Sequence, residues 1–401
     1  MLHPLSPQRT FPTSAPPEAT PRHERRSVLN RKLFILAATT MAAVAVPSAA
    51  TAAAPPPADT GRLIQLDSLG GVGSFATGMN ERGDLIGSSV DAKDDFRAVV
   101  WWHGRSSPTA LGIEGASPVA INELGHITGY ADDGLFLWRD GSVTYLKRSA
   151  AASFGAPSIN DRDDVASTVT GQDGTSRAVL WQRGRLTMLP TPTGMDSRAV
   201  GINNRGQVIG TVTRPEASTE EAVLWQDGRM TRLGTLGGAG SSPTAINDRG
   251  QVSGTSTVAG SSDDHPFLWQ GGRMTDLLAG THATAGRVAD LNETGMMTGT
   301  ANFGNHDSRP VVWRDGRMID IGLPGHVAIG SHLNERGDVA GSTWADPQST
   351  AVPFRWRNGQ TTLFPEPVSD IAITVIGIDR QGLLGVDQET SQFGNIVLRS
   401  S

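Results

Sequence analysis

A tryptophan-centred motif that recurs along most of the chain limits the folds available to it. Trp-x-x-Gly occurs seven times, and the last five intervals between the tryptophans are 43, 44, 44, 44 and 43 residues. The tryptophans are Trp101, Trp138, Trp181, Trp225, Trp269, Trp313 and Trp356. A period of about 40–45 residues is that of one propeller blade, so a single repeat array is favoured over two unrelated domains.

A second landmark, Asn-x-x-Gly, lies 21 or 22 residues before each tryptophan, except in the second unit, where the distance is 16. Its asparagines are Asn80, Asn122, Asn160, Asn203, Asn247, Asn292 and Asn334, and a degenerate eighth copy starts at Asp379. Asparagine suits the start of a tight turn, and glycine suits its left-handed position. Each unit is therefore predicted to contain two hairpin turns that connect short strands.

The fourth unit illustrates the predicted strand pattern. Strands are expected at 199–202, 207–212, 222–225 and 229–233. The first three are apolar on both faces, which is typical of strands sandwiched between neighbouring sheets. The last is more polar, as expected of an exposed edge strand.

The ends of the array predict how it closes. Residues 62–67 resemble a fourth strand that precedes the first unit, whereas the last unit ends near residue 398 without a fourth strand. The predicted fold is an all-β β-propeller of eight four-stranded blades of about 43 residues, with the last blade completed by the N-terminal strand. A seven-bladed propeller and a β-solenoid are the alternatives. The third unit has Asp163 and Ser167 in place of two glycines, so it is expected to be the least regular.

The first 52 residues have the order of a signal peptide. A basic cluster that includes Arg25 and Arg26 precedes the apolar run 33–46, and small residues lead to an expected cleavage after Ala52. The run has 14 residues, too few for the ~20 of a membrane span. Residues 53–61 are interpreted as a linker and 62–401 as the propeller. An extracellular or wall-associated protein is expected, with the choice between general secretion and twin-arginine export left open.

Charge and composition restrict the partners. The chain has no cysteine, which excludes disulfides and thiolate metal sites. The first 52 residues hold six Lys/Arg and two Asp/Glu, so the remainder carries 28 basic and 38 acidic residues, a net charge of −10. A nucleic-acid partner is not expected on an acidic chain without a basic patch. A monomer without a stable membrane span is expected.

The repeat in residues 233–277, LGTLGGAGSSPTAINDRGQVSGTS followed by HPFLWQGGRMTDL, resembles the HAF-repeat family of extracellular bacterial proteins. The family's His-Ala-Phe tripeptide is represented here only by His265-Pro266-Phe267. The resemblance covers about residues 62–401. It implies export and a repeat fold, and it implies no reaction.

The repeated Asn, Gly, Trp and Arg positions are interpreted as structural, because each copy has the same task in a turn or between blades. The candidates for a site are instead acidic loops between the second and third strands of each unit, which vary in length and sequence. Asp94 and Asp95, with Asp263, Asp264 and His265, are the candidate calcium ligands, and no other cofactor is expected. The alternative is that these loops only maintain solubility.

These observations lead to an expected function. The sequence has no nucleophile elbow and no His-Glu-x-x-His motif, so an enzyme is disfavoured without being excluded. The expectation is a secreted, non-enzymatic binding or scaffold module that recognises a glycan, a wall polymer or a protein through the variable loops. A secreted polysaccharide lyase or hydrolase with its site at the channel mouth is the alternative.

Overall fold

The computed structural model describes residues 62–400 except 133, 149–152, 218, 305–306, 324–326, 345–350, 365–371 and 390–393. These residues belong to one compact unit, Ser48–Ser401. The predicted signal peptide at 1–52 and the predicted linker at 53–61 lie outside the described residues.

All regular elements of the described residues are β-strands. The first fourteen are β1 (Arg62–Gln65), β2 (Gly70–Met79), β3 (Leu85–Asp91), β4 (Phe96–Trp101), β5 (Thr109–Ala110), β6 (Ser117–Ile121), β7 (Ile127–Ala131), β8 (Gly134–Arg139), β9 (Ser142–Arg148), β10 (Ser153–Phe154), β11 (Ser158–Ile159), β12 (Val165–Thr170), β13 (Ser176–Gln182) and β14 (Arg185–Met188). The next twelve are β15 (Asp196–Ile202), β16 (Val208–Thr213), β17 (Glu221–Gln226), β18 (Arg229–Arg232), β19 (Gly237–Ile246), β20 (Val252–Val258), β21 (Asp264–Gln270), β22 (Arg273–Asp276), β23 (Ala285–Leu291), β24 (Met297–Asn302), β25 (Ser308–Arg314) and β26 (Arg317–Asp320). The last are β27 (Val327–Leu333), β28 (Val339–Trp344), β29 (Val352–Arg357), β30 (Gln360–Leu363), β31 (Ala372–Ile378), β32 (Leu384–Glu389) and β33 (Gly394–Ser400).

The described strands form separate antiparallel sheets, one for each sequence repeat. Unit 1 contains β2–β5, unit 2 β6–β9, unit 3 β10–β14, unit 4 β15–β18, unit 5 β19–β22, unit 6 β23–β26, unit 7 β27–β30, and unit 8 β31–β33 with β1. Seven of these sheets have four strands, and the sheet of unit 3 has five. The prediction of an all-β β-propeller is confirmed. The β-solenoid alternative is wrong, because each repeat forms its own antiparallel meander instead of contributing strands to a continuous sheet.

The two ends of the array pair with each other as predicted. β1 is antiparallel to β33, with Ile64 opposite Leu398 and Gln65 opposite Val397. Further along the chain, Leu66 is 5% exposed and packs in a cluster with Leu85 and Trp101 of unit 1. The N-terminal strand therefore completes the sheet of unit 8, and the residues after it pack against unit 1.

The repeated hairpin turns have the backbone conformation that their residues predict. In unit 4, Gln226 pairs with Arg229 across Asp227 and Gly228, whose φ angles are 50° and 72°. Positive φ at both central residues is the requirement of a type I′ hairpin, which aspartate-glycine meets at low cost. All four predicted strands of unit 4 are present, and the first starts three residues earlier than predicted, at Asp196.

Unit 3 is the irregular unit, as expected, and Ser167 explains why. In unit 4 the equivalent position is Gly210, where a Cβ would overlap the carbonyl oxygen of Arg198 on the first strand. Ser167 does carry a Cβ, and the first strand of its sheet is split into β10 and β11. The serine hydroxyl donates to the carbonyl of Gly155 in the gap, at 2.7 Å. Despite the missing glycine, the nearby turn survives with Asp163 at φ 63°.

The core lies between the sheets. Trp225 is 1% exposed, and its cluster joins Val208 and Val223 of its own unit to Ala166 and Ala178 of unit 3. This packing explains why the middle strands are apolar on both faces. The repeated tryptophans are therefore structural, as the sequence indicated.

Candidate functional site

The repeated asparagines form a ladder from unit to unit. Each is at most 5% exposed, and its Nδ2 donates to the main-chain carbonyl of the landmark residue in the next unit at 2.8–3.1 Å. The ladder starts at Asn80 and ends at Asp379, the degenerate eighth copy. The N–H of Arg380 then donates to the carbonyl of Glu81, at 2.8 Å. The first turn of the array is thus hydrogen-bonded to the last.

The residue after each asparagine forms a second circle. Its members, called the mouth ring below, are Glu81, Glu123, Asp161, Asn204, Asp248, Glu293 and Glu335. The main-chain N–H of each member donates to a side-chain oxygen of the next member at 2.7–3.1 Å, and the N–H of Glu335 donates to Glu81. The circle therefore returns to its starting residue, with six carboxylates and one amide.

The position of the mouth ring follows from the topology. The first strands of neighbouring units contact one another, which places them around the central channel. The mouth ring comes directly after these strands, at the channel mouth on the turn face. The loops between the second and third strands lie at the opposite end, because the strands are antiparallel.

Unit 8 departs from the acidic pattern. It has Arg380 where units 1–7 have a mouth-ring residue. The Arg380 guanidinium lies 3.2 Å from Oε2 of Glu81 and 3.7 Å from Oε2 of Glu123. Glu81 therefore spans the seam between the ends of the array, with Oε1 accepting from Glu335 and Oε2 from Arg380. The mouth is acidic around most of its circumference and basic at this seam.

Burial at the mouth raises the pKa values of its carboxyl groups. Burial is the main cause of the rise in the pKa of Glu81 to about 6, and repulsion from Glu335 and Glu123 adds to it. Burial likewise raises the pKa values of Glu123, Glu293 and Glu335, against the hydrogen bond that each accepts from the preceding unit. Ionised carboxylates are therefore held close together with incomplete solvation, and a cation placed among them would relieve the unfavourable energy.

Mild acid should stabilise the fold through this ring. The folded pKa of Glu81 lies above its ordinary value of 4.5, so the folded chain binds protons more tightly than the unfolded chain. Stability should rise as the pH falls from 7 towards 4.5, by at most about 2 kcal/mol from Glu81. Urea unfolding at pH 5 and pH 7.5 measures this, and Glu81→Gln should remove part of the difference. The same substitution at the exposed Glu216 should not, and an unchanged pH dependence in Glu81→Gln would disprove the assignment.

The predicted calcium ligands lie at the opposite end of the sheets from the mouth ring. Asp94 is in the β3–β4 loop with φ 63°, and Asp95 accepts from Arg97 at 2.9 Å. Asp91 also accepts from Arg97, at 3.0 Å, so this loop is organised around a guanidinium of its own sheet.

The second predicted group lies in unit 5 and is not brought together with the first. Asp263 accepts from the hydroxyl of Ser261 at 2.8 Å, and Asp264 starts β21. The Nδ1 of His265 lies 2.9 Å from a carboxylate oxygen of Asp276. Within the described ranges, no three His, Asp or Glu side chains are arranged to hold a metal ion. Calcium binding at these residues stays a prediction from the sequence.

The described residues contain no helix with the length and hydrophobicity of a membrane span.

Comparison with known proteins identifies propellers of similar fold. The β-propeller domain of the trilobed protease of Pyrococcus furiosus matches with a TM-score of 0.51 and 13% identity, over 74% of this chain and 99% of that one. Dipeptidyl peptidase 4 of Porphyromonas gingivalis gives 0.52 and 10%, over 76% and 55%. A puromycin-hydrolysing peptidase of Mycobacterium tuberculosis gives 0.50 and 13%, over 85% and 61%. At such identities the similarity shows the fold alone, and the chain spans little more than half of the two peptidases.

No protein-family model and no curated protein matches the sequence. The similar structures nevertheless correct the predicted function. A binding module for a glycan, wall polymer or protein acting through the variable loops, or alternatively a polysaccharide lyase or hydrolase, was expected. The propellers that resemble this chain are instead parts of a protease and of peptidases, so that expectation was wrong.

The mouth ring was not predicted from the sequence. The landmark turns were interpreted as structural, which is correct for the asparagines themselves. The informative signal is at the next position, which is acidic or an amide in all of units 1–7.

Proposed function

We propose that this chain is an eight-bladed propeller closed by β1, and that it binds cationic segments of peptides at the mouth ring. The observation that carries the proposal is the ring itself. Six carboxylates from six different units are fixed around one axis by main-chain N–H groups. The pairing of β1 with β33, and the hydrogen bond from Arg380 to Glu81, support a closed ring of eight blades.

The ring has acceptor capacity to spare. A carboxylate offers about four acceptor positions, and the main-chain N–H of the preceding mouth-ring residue uses one of them. The amide of Asn204 uses one more position on each of Asp161 and Asp248. Arg380 illustrates the kind of group that the remaining positions accept, since its guanidinium lies within 4.0 Å of the Oε2 atoms of Glu81 and Glu123. A lysine ammonium, an arginine guanidinium or a peptide amino terminus supplies the same chemistry elsewhere around the ring.

A peptide is the proposed carrier of that cation because the similar propellers belong to peptidases. Their likeness to this chain concerns the fold, and the choice of ligand is supported by the charge of the mouth. A net charge of −10 over residues 53–401 would also draw basic segments to the protein.

Calorimetric titration of the full chain with two peptides of equal length, one rich in lysine and one rich in glutamate, tests the proposal. Saturable binding of the lysine peptide alone is expected. Its affinity should fall with added salt, because the ring is partly open to solvent. It should also fall below about pH 6, where Glu81 becomes protonated. Equal binding of both peptides, or of neither, would overturn the proposal.

A further inference from the structure

A cavity lies beside the mouth ring, at the seam between the first and last units. Its volume is about 700 Å³, within the range of roughly 300–1,000 Å³ typical of pockets for small ligands. It is lined by turns of units 1 and 8, together with Arg336 of unit 7. It is called the seam cavity below.

Two departures from the sequence repeat meet in the seam cavity. Arg380 replaces the acidic or amide residue of the mouth ring, and Trp102 stands after the repeated tryptophan. The other units have arginine or glutamine at the latter position: Arg139, Gln182, Gln226, Gln270, Arg314 and Arg357. A cation and a large aromatic ring therefore meet in this cavity, and neither residue follows the pattern of the other units at its position.

The charge that the seam cavity presents to solvent is mainly positive. Three carboxylates line it, and all are engaged within the protein. Glu81 accepts from Glu335 and Arg380, whereas Asp84 and Asp379 are each 1% exposed and accept main-chain hydrogen bonds. The arginines are exposed: the side chains of Arg82 and Arg380 are 49% and 54% accessible. Arg105 and Arg336 are exposed as well.

Arg336 lacks the main-chain carbonyl partner that two of its equivalents, Arg82 and Arg249, have. At the same turn position, Arg82 donates to the carbonyl of Glu123 at 3.1 Å, and Arg249 donates to that of Thr294 at 3.0 Å. The carbonyl of Gln381, which corresponds to that of Thr294, instead accepts from Arg357 at 2.8 Å.

Among the described residues, Arg105, like Arg336, has an unpaired side chain. Within the part of the chain that the structure describes, neither guanidinium is hydrogen-bonded or ion-paired. Two guanidinium groups are therefore available in one cavity, together with the ring of Trp102. Guanidinium groups match the geometry of a carboxylate, and an aromatic face accommodates an adjacent apolar group.

We propose that the seam cavity binds the C-terminal carboxylate of a peptide, with Arg105 and Arg336 as its partners and Trp102 against the last side chain. This inference rests on the proposed function, since it assumes that the mouth ring holds a cationic part of the same peptide. The acidic ring and the basic seam then fix the direction of the peptide across the mouth.

The test uses the full chain and two lysine-containing peptides that differ only in a free or an amidated C terminus. Amidation should weaken binding about tenfold, because it removes a charge-assisted contact. In the double variant Arg105→Gln/Arg336→Gln, both peptides should bind with the affinity of the amidated one. Arg249→Gln, at the same turn position in unit 5, should leave the difference intact.

The outcomes separate the two proposals. Equal binding of both peptides to the wild-type chain would overturn the seam proposal and leave peptide binding at the ring standing. A difference that persists in the double variant would overturn the assignment to Arg105 and Arg336. Failure of both peptides to bind would instead count against the proposed function, and the seam proposal would fail with it. Thermal melting of each variant confirms that it is folded before its affinity is interpreted.

Discussion

Replacement of Trp225 by alanine is expected to lower the free energy of unfolding by about 3–5 kcal/mol. The side chain is 1% exposed and lies in the cluster that joins units 3 and 4. Its Nε1 also donates to the carbonyl of Pro190, at the end of unit 3, at 2.7 Å. The substitution therefore leaves a cavity between two sheets and removes a hydrogen bond across it. Because each sheet packs mainly against its neighbours, the lost packing should destabilise both unit 3 and unit 4.

Urea unfolding of the wild-type chain and the variant measures this effect. Met188→Ala is the matched control, since Met188 lies in unit 3 and is 64% exposed. That control should change stability by no more than about 0.5 kcal/mol. If the two variants were equally stable, the repeated tryptophan would not be what joins adjacent sheets.

Neutralising the mouth ring should weaken binding of a lysine peptide on the order of 10- to 100-fold in the triple variant Glu123→Gln/Glu293→Gln/Glu335→Gln. This range assumes that each partly exposed charge contributes about 0.5–1 kcal/mol. Glutamine keeps a carbonyl oxygen that can accept the N–H of the preceding unit, so the ring should stay intact. Asn204 shows that an amide fits, since its Oδ1 accepts from Asp161 at 2.8 Å. Calorimetric titration measures the change.

A charge-matched control sharpens this prediction. Asp94→Asn/Glu216→Gln/Asp263→Asn makes the same change in net charge with exposed loop residues and should leave the affinity nearly unchanged. If the loop variant lost as much affinity as the ring variant, the effect would belong to net charge, and the ring would have no special role.

Most of the fold was accessible from the sequence because each repeat carries its own turn chemistry. Aspartate-glycine at 227–228 predicted a hairpin, and positive φ angles are found there. The irregularity of unit 3 could be predicted from Ser167, but its form could not. The split of the first strand depends on the distance between two backbones at Gly155, which the sequence does not contain.

The candidate site was harder to predict from the sequence, because its residues are far apart in the chain. Glu81 and Glu335 are 254 residues apart in the chain, yet they are joined by a hydrogen bond of 2.7 Å. The repeat predicts that equivalent positions share a face, and the acidic residues after the asparagines are visible in the sequence. Their convergence became evident only from the hydrogen bonds between units. The seam cavity was harder still to predict, since it depends on which units meet when the ends of the array pair.

A crystal structure of the full chain with a bound lysine-containing peptide would show whether the mouth ring is the binding site. Density for the peptide is expected at the mouth of the channel on the turn face, with an ammonium group among the carboxylates of Glu81, Glu293 and Glu335. Density confined to the loops around Asp94 or Asp263, at the other end of the sheets, would contradict it.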